Sequence, residues 1–319
     1  MRSVVSNGRL AGPATLLAMK DAIVIGTARR LARSCEVRRP GGFRLSRFDP
    51  ADTGPFGSED KPRAQEMLGD SIRMLSELQD RLYAQDRWSL LVIFQAMDAA
   101  GKDGAIKHVM SGVNPAGCEV HSFKAPSTTE LDHDYMWRAL RVAPPRGTIG
   151  IFNRSYYEEV LVARVHPEIL GRQRIPPELV TRRIWNERFR DMRRIERYLA
   201  RNGTVVRKIF LNVSKAEQKR RFLERIDEPE KNWKFSEADL GERAHWDEYM
   251  HAYGDMIRST SSEHAPWYVV PADNKWFTRI AVASILVDAL ASLDLRYPAV
   301  DRKRRAALAV ARRQLLSED

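Results

Sequence analysis

The run Leu90-Leu91-Val92-Ile93-Phe94-Gln95-Ala96-Met97-Asp98-Ala99-Ala100-Gly101-Lys102-Asp103-Gly104 constrains this chain more than any other stretch. Its first half is an uninterrupted apolar segment and predicts a buried strand. After a short turn, Ala105, Ile106, Val109 and Met110 fall on one face of a helix. Strand, Gly-Lys turn and helix together form a phosphate-binding layout. Backbone N–H groups of the turn and of a helix start converge on one point, and a lysine reaches the same point. The spelling departs from the usual G-x-x-x-x-G-K-[ST]: Ala96 stands at the first glycine, and Asp103 stands where a Ser or Thr hydroxyl would hold magnesium. In exchange, the loop carries its own carboxylate, Asp98.

At 319 residues the chain has room for one large α/β domain with appendages. It has no apolar run of about 18 residues that would span a membrane. The stretch from Leu10 to Ile25 is weakly apolar, broken by Lys20 and Asp21, and reads as a loose leader with Met19 a candidate start. Two cysteines, Cys35 and Cys118, in unrelated contexts give neither a disulfide framework nor a zinc site, which fits a reducing cytoplasm. A net charge of +11 favours a polyanionic partner.

Further along, helical spacing from Ala64 to Leu82 predicts a long helix. Strands follow at 118–123, 148–152, 204–213 and 267–270, the repeated βα pattern of a parallel, doubly wound sheet. Ligands of such sheets sit at the carboxyl ends of the strands. That rule gathers the 96–104 loop, Lys124 and the Asn153-Arg154-Ser155 corner on one edge. Ser127-x-x-Glu130 is a capping box expected to open a helix to about Val142. Residues 156–201 are helical, broken at Pro176-Pro177, and basic: between Ala163 and Arg194 there are nine arginines against four acids. They read as a lid over the strand edge. The apolar helix from Trp276 to Leu293 should close the back of the sheet, and a basic amphipathic helix ends the chain.

Phosphoryl transfer needs positioning and charge neutralisation around a metal ion. Lys102 supplies a point charge and the backbone of Ala99, Ala100, Gly101, Asp103 and Gly104 supplies donors. Asp98 is the natural magnesium ligand, or else orients an attacking phosphate oxygen. Asn153 can offer an amide oxygen to the metal, and Arg154 can clamp phosphate with both arms. Lys124, Arg164 and Lys208 are the further phosphate-binding candidates. Plainer readings exist for each: a solvated Lys124, a strand-end cap at Asn153, a structural ion pair at Arg154. His166 reads as a packed or capping histidine, and Trp233, Trp246, Trp267 and Trp276 as core or interface residues.

The runs Met97 to Pro115, Ser122-Phe123-Lys124-Ala125-Pro126, Ile151 to Leu161, Arg164-Val165-His166-Pro167-Glu168, Ser214 to Lys219 and Ala265 to Trp276 resemble the polyphosphate kinase 2 family over residues 45–297. The resemblance leaves 1–44 as a poorly defined extension and 298–319 as a tail. It implies a thymidylate-kinase-like, P-loop kinase fold: a parallel sheet flanked by helices, with a helical lid. It implies Mg2+-dependent, reversible transfer between inorganic polyphosphate and adenine nucleotides, with Asp98, Lys102 and Arg154 as catalytic residues. The Asn153 spelling resembles the branch that phosphorylates both AMP and ADP, in which Glu158 would meet the adenine. Tyr156, where His is common, is a departure. With the apolar closing helix, the resemblance also implies a homo-oligomer, a dimer or tetramer. An ATP-dependent nucleoside monophosphate kinase and a non-catalytic binder of polyanions, nucleic acid included, are the alternatives; the atypical loop argues against the first.

Overall fold

The computed structural model describes residues 13–318. In chain order the elements are α1 (Pro13–Cys35), α2 (Lys61–Gln85), β1 (Ser89–Ala96), α3 (Lys102–Val109), β2 (Cys118–Ser122), α4 (Thr128–Leu131), α5 (Trp137–Leu140), β3 (Ile149–Asn153), α6 (Val162–Val165), α7 (Pro167–Gly171) and α8 (Ile184–Arg201). Then come β4 (Thr204–Asn212), α9 (Lys215–Asp227), α10 (Glu237–Ala244), α11 (Trp246–Thr260), β5 (Trp267–Pro271), α12 (Lys275–Ala291) and α13 (Arg302–Leu315). All five strands are parallel and lie in the order β2-β3-β1-β4-β5. Every residue of the central β1 is buried, as a strand with neighbours on both sides and helices on both faces must be.

On one face α12 packs against α1, α2 and α3. On the other, α8 packs on β4 and α11 on α8, with the Phe210 and Tyr253 rings 4.4 Å apart. The register Phe94↔Asn153 and Phe94↔Ile209 puts the ends of β1, β3 and β4 level. The loop after β1 and the corner after β3 therefore face each other.

Four expectations change here. The stretch read as a loose leader is, from residue 13 on, part of α1, while residues 10–12 lie outside the described residues. Ala28, Leu31, Ala32 and Cys35 are buried in the main core, and Val37 N–H donates to Trp267 O at 2.9 Å, covering the open edge of β5. Residues 13–44 are thus structurally continuous with the domain. The capping box at Ser127 forms, with Ser127 N–H donating to Glu130 Oε2 at 2.7 Å. Its helix stops at Leu131, because Asp134 accepts from Met136 N–H at 2.9 Å and turns the chain before α5.

The supposed lid at 156–201 is not one. Tyr156, Tyr157, Phe189 and Met192 are buried, and α8 is the layer that covers β4. Finally, α12 turns most of its apolar surface inward: twelve of its seventeen residues are buried, and it packs against α1, α2 and α3. The helix therefore gives no separate support to the expected homo-oligomer.

Behind the corner lies a buried polar cluster. Lys208 and Glu196 are wholly buried and pair at 2.6 Å. The lysine also donates to Thr260 O at 2.8 Å, and the hydroxyls of Tyr156 and Tyr157 donate to Glu196 Oε1 at 2.9 and 2.7 Å. Burial pulls the Lys208 ammonium below its usual range; Glu196 opposes this. Lys208→Met strands Glu196 without its counter-charge and should cost about 3–5 kcal/mol in urea denaturation. The double variant Lys208→Met with Glu196→Gln should lose less, since no uncompensated buried charge remains.

Candidate functional site

The chain leaves β1 at Ala96 and turns through two left-handed residues, Ala99 (φ 58°) and Gly101 (φ 101°), before α3 opens at Lys102. Alternating handedness turns successive peptide planes over, sending N–H groups to one side and carbonyls to the other. The carbonyl side is held. Lys102 Nζ donates to Ala96 O at 3.0 Å, and Gln218 Nε2 to Asp98 O at 2.9 Å. Arg221 Nη1 donates to Ala99 O at 3.1 Å and Ala100 O at 2.7 Å, and its Nη2 to Ala272 O at 2.6 Å. Gln218 and Arg221 stand three residues apart on α9, both buried. Glu217, on the same helix, accepts from Arg221 Nε at 2.7 Å and keeps the buried guanidinium paired.

The N–H side faces a cleft of about 750 Å³ lined by Asp98 to Ala105, Ser122 to Ala125, Asn153, Arg154 and Arg221. The last turns of α9, the segment after it and the start of α10 close the other wall with Glu224, Arg225, Lys231, Trp233, Lys234 and Asp239, and α12 adds Lys275, Thr278 and Arg279. Nine lysines and arginines against four acids line it, so its field suits a polyanion. This connector, not 156–201, overhangs the phosphate loop. Trp233, read from sequence as core or interface, stands at the cleft rim with 79 % of its surface exposed.

The opposite corner carries a further left-handed residue, Arg154 (φ 63°). Its N–H donates to Phe94 O at 3.0 Å, continuing the sheet ladder. Its guanidinium reaches across to Asp98 at 2.6 Å and lies 3.5 Å from Glu158. These two carboxylates hold the guanidinium well above its ordinary range, Glu158 contributing most, against the cost of burial. Burial and the Arg154 charge pull Lys102 below its ordinary value, with Asp98, Glu158 and Asp103 opposing. Asn153 Nδ2 donates to Asp103 Oδ1 at 2.7 Å. Lys124 is exposed on the cleft wall.

The structure therefore brings together Asp98 to Gly104, Lys124, Asn153 and Arg154, and leaves three expected residues elsewhere. Lys208 is sealed beneath β4 by Glu196 and cannot touch a phosphate. Arg164 is held by Asp255 at 2.8 Å and is not on the cleft wall. Glu158 is committed to Arg154 and lies behind it, also off the wall. His166 packs as read, its Nε2 3.0 Å from Glu242.

Sequence reasoning missed Gln218 and Arg221. Their signal was the Ser214-capped helix, Glu217 N–H donating to Ser214 Oγ at 3.0 Å, whose buried face carries amide and guanidinium where an ordinary flanking helix carries apolar side chains. Arg221→Lys keeps the charge and loses the fork. It should destabilise the fold by about 2–3 kcal/mol in urea denaturation and weaken inorganic tripolyphosphate binding in calorimetry, because the loop carbonyls are released.

Comparison with known proteins agrees with this architecture. The family model described as Polyphosphate kinase 2 matches residues 58–298. A Rhodopseudomonas palustris protein named ADP-polyphosphate phosphotransferase is 53% identical over 281 residues, spanning 86% of this chain and 97% of that protein. One from Meiothermus ruber named AMP/ADP-polyphosphate phosphotransferase is 47% identical, spanning 82% and 94%. The crystal structure of polyphosphate kinase 2 from Arthrobacter aurescens superposes with a TM-score of 0.80 at 39% identity, covering 88% of this chain and 96% of that one. With the strand–loop–helix, the arginine corner and the basic cleft in place, the match over three quarters of its length means that this chain belongs to the polyphosphate kinase 2 family of phosphotransferases.

Proposed function

We propose that the protein transfers phosphoryl groups reversibly from inorganic polyphosphate to AMP and ADP, giving ADP and ATP, with magnesium. The observation that carries this reading is the cleft itself, where nine cationic side chains line the same wall as the phosphate loop from Asp98 to Gly104. A repeating anion fits that wall better than a single nucleotide does. The relatives named as ADP- and AMP/ADP-polyphosphate phosphotransferases support the donor and the acceptors.

In this reading the loop N–H groups and Lys102 hold the phosphoryl being transferred, and Arg154 bridges it to the acceptor side. Both cations offset the charge that spreads over the equatorial oxygens during transfer. Lys124 and the lysines of the overhanging segment hold the rest of the polymer. Asp98, Asp103 and the Asn153 amide offer hard oxygen donors on the same wall, and no group of three or more His, Cys, Asp or Glu converges among the described residues. This sparse oxygen set fits magnesium, which takes one or two protein oxygens and completes its shell with phosphate and water. Bound there by Asp98 and Asn153, it would neutralise phosphate charge.

Purified protein, magnesium, long-chain polyphosphate and AMP without ATP should yield ADP first and ATP later by chromatography. Activity with ATP plus a second nucleoside monophosphate, and none with polyphosphate, overturns the reading in favour of an ordinary monophosphate kinase. Lys102→Ala should lower turnover on the order of 10²–10³-fold while retaining polyphosphate binding, and chelating the metal should stop turnover. A Lys102→Ala variant with unchanged turnover would remove the loop from the chemistry.

A further inference from the structure

Asp103 stands on the first turn of α3, where the usual loop places a hydroxyl. Asn153 is the last residue of β3. In the sheet β3 lies directly beside β1, the strand that leads into α3, and Asn153 Nδ2 meets Asp103 Oδ1 at 2.7 Å. An ionised carboxylate only accepts hydrogen bonds, whereas an amide has one donor end and one acceptor end. The Asp103 carboxylate can therefore face only the NH2 end. The Asn153 oxygen is turned the other way. It accepts no hydrogen bond from any described residue, and Asn153 lines the cleft.

We infer that Asp103 is a positioning residue that fixes the Asn153 amide with its oxygen turned into the cleft, where the magnesium–nucleotide complex would sit, and that positions 103 and 153 work as one unit. This rests on the function proposed above. Three consequences follow from the geometry. With an amide at 103, the Asn153 side chain has donor and acceptor at both ends of the contact and loses its fixed sense. With a carboxylate at both positions, oxygens would meet at hydrogen-bond distance with no proton between them, and the side chain at 153 is driven out of place. The exchanged pair, Asn at 103 and Asp at 153, restores the contact with the donor on the other side and again points an oxygen into the cleft.

Four proteins test this: the natural chain, Asp103→Asn, Asn153→Asp and the double exchange. Kd for AMP and ADP is measured by calorimetry with magnesium, and kcat and KM with polyphosphate as donor; thermal midpoints check the fold. Each single variant should weaken nucleotide binding about tenfold, mainly through KM. The double exchange should return to within about threefold of the natural chain, a coupling of the size contacting residues show. Losses that simply add, or an Asn153→Asp variant that binds as well as the natural chain, overturn the inference. If the natural chain binds nucleotides but shows no turnover with polyphosphate, the proposed function fails and the binding cycle still decides the coupling. If turnover is normal and the losses add, only the positioning role fails. Absence of nucleotide binding by the natural chain overturns both.

Discussion

The site depends on what holds the loop's carbonyls. A loop that aims its N–H groups at a ligand sends its carbonyls into the protein, where each unmet acceptor costs on the order of 1–3 kcal/mol. Here α9 meets that demand with one amide and one guanidinium. Gln218 takes Asp98 O, and the Arg221 fork takes Ala99 O and Ala100 O. The second arm of the same guanidinium holds Ala272 O, just past β5. One buried cation thus joins the loop after β1 to the loop after β5, and Glu217 keeps it from being an unpaired buried charge. Ala99 can persist at a φ of 58° because both flanking peptide planes are tied down.

The corner across the cleft is solved differently. Arg154 is also left-handed, and a backbone bond to Phe94 fixes its N–H. The residues that follow, Tyr156 and Tyr157, sink into the core and end on Glu196, which is neutralised by Lys208. The corner is therefore pinned from its chain-distal side by a dry hydrogen-bonded cluster, and from its front by Asp98 and Glu158. Loop and corner meet through the Asp98–Arg154 pair. Preorganised charges of this kind need no reorientation when a phosphate arrives.

The fold was legible where burial writes itself into periodicity. All five strands, their parallel direction and the flanking helices α2, α3 and α12 follow from apolar spacing and the repeated βα pattern, and Asp98 to Gly104 with Asn153 and Arg154 follow from the rule that ligands sit at strand ends. The failures share one cause: charged residues that serve the interior look like charged residues that serve a ligand. Lys208 sits in a strand and points inward to Glu196, but its letter is that of a surface lysine. Arg188, buried in α8 and donating to Glu159 O at 2.7 Å, contributed to the arginine density that suggested a lid. Arg164 was claimed by Asp255, ninety-one positions away. Arg221 erred the other way, hidden in an ordinary polar helix. None of these pairings is visible without the tertiary contact that makes it.

The same reasoning locates the overhang. From Glu224 to Asp239 the chain is held to α9 by Lys231, which meets Glu224 and Glu228 at 2.6 Å each. Asn232 Nδ2 donates to Arg225 O and Ile226 O at 2.8 Å. The segment is an extension of the helix whose earlier turns clamp the phosphate loop. A polymer lying in the cleft would therefore touch the N–H face of the loop and the lysines of the overhang, with α9 behind both. Burying Gln218 and Arg221 at one end of that helix and exposing Lys234 and Trp233 beyond the other gives it two duties along one axis: fixing the floor of the cleft and carrying its outer wall.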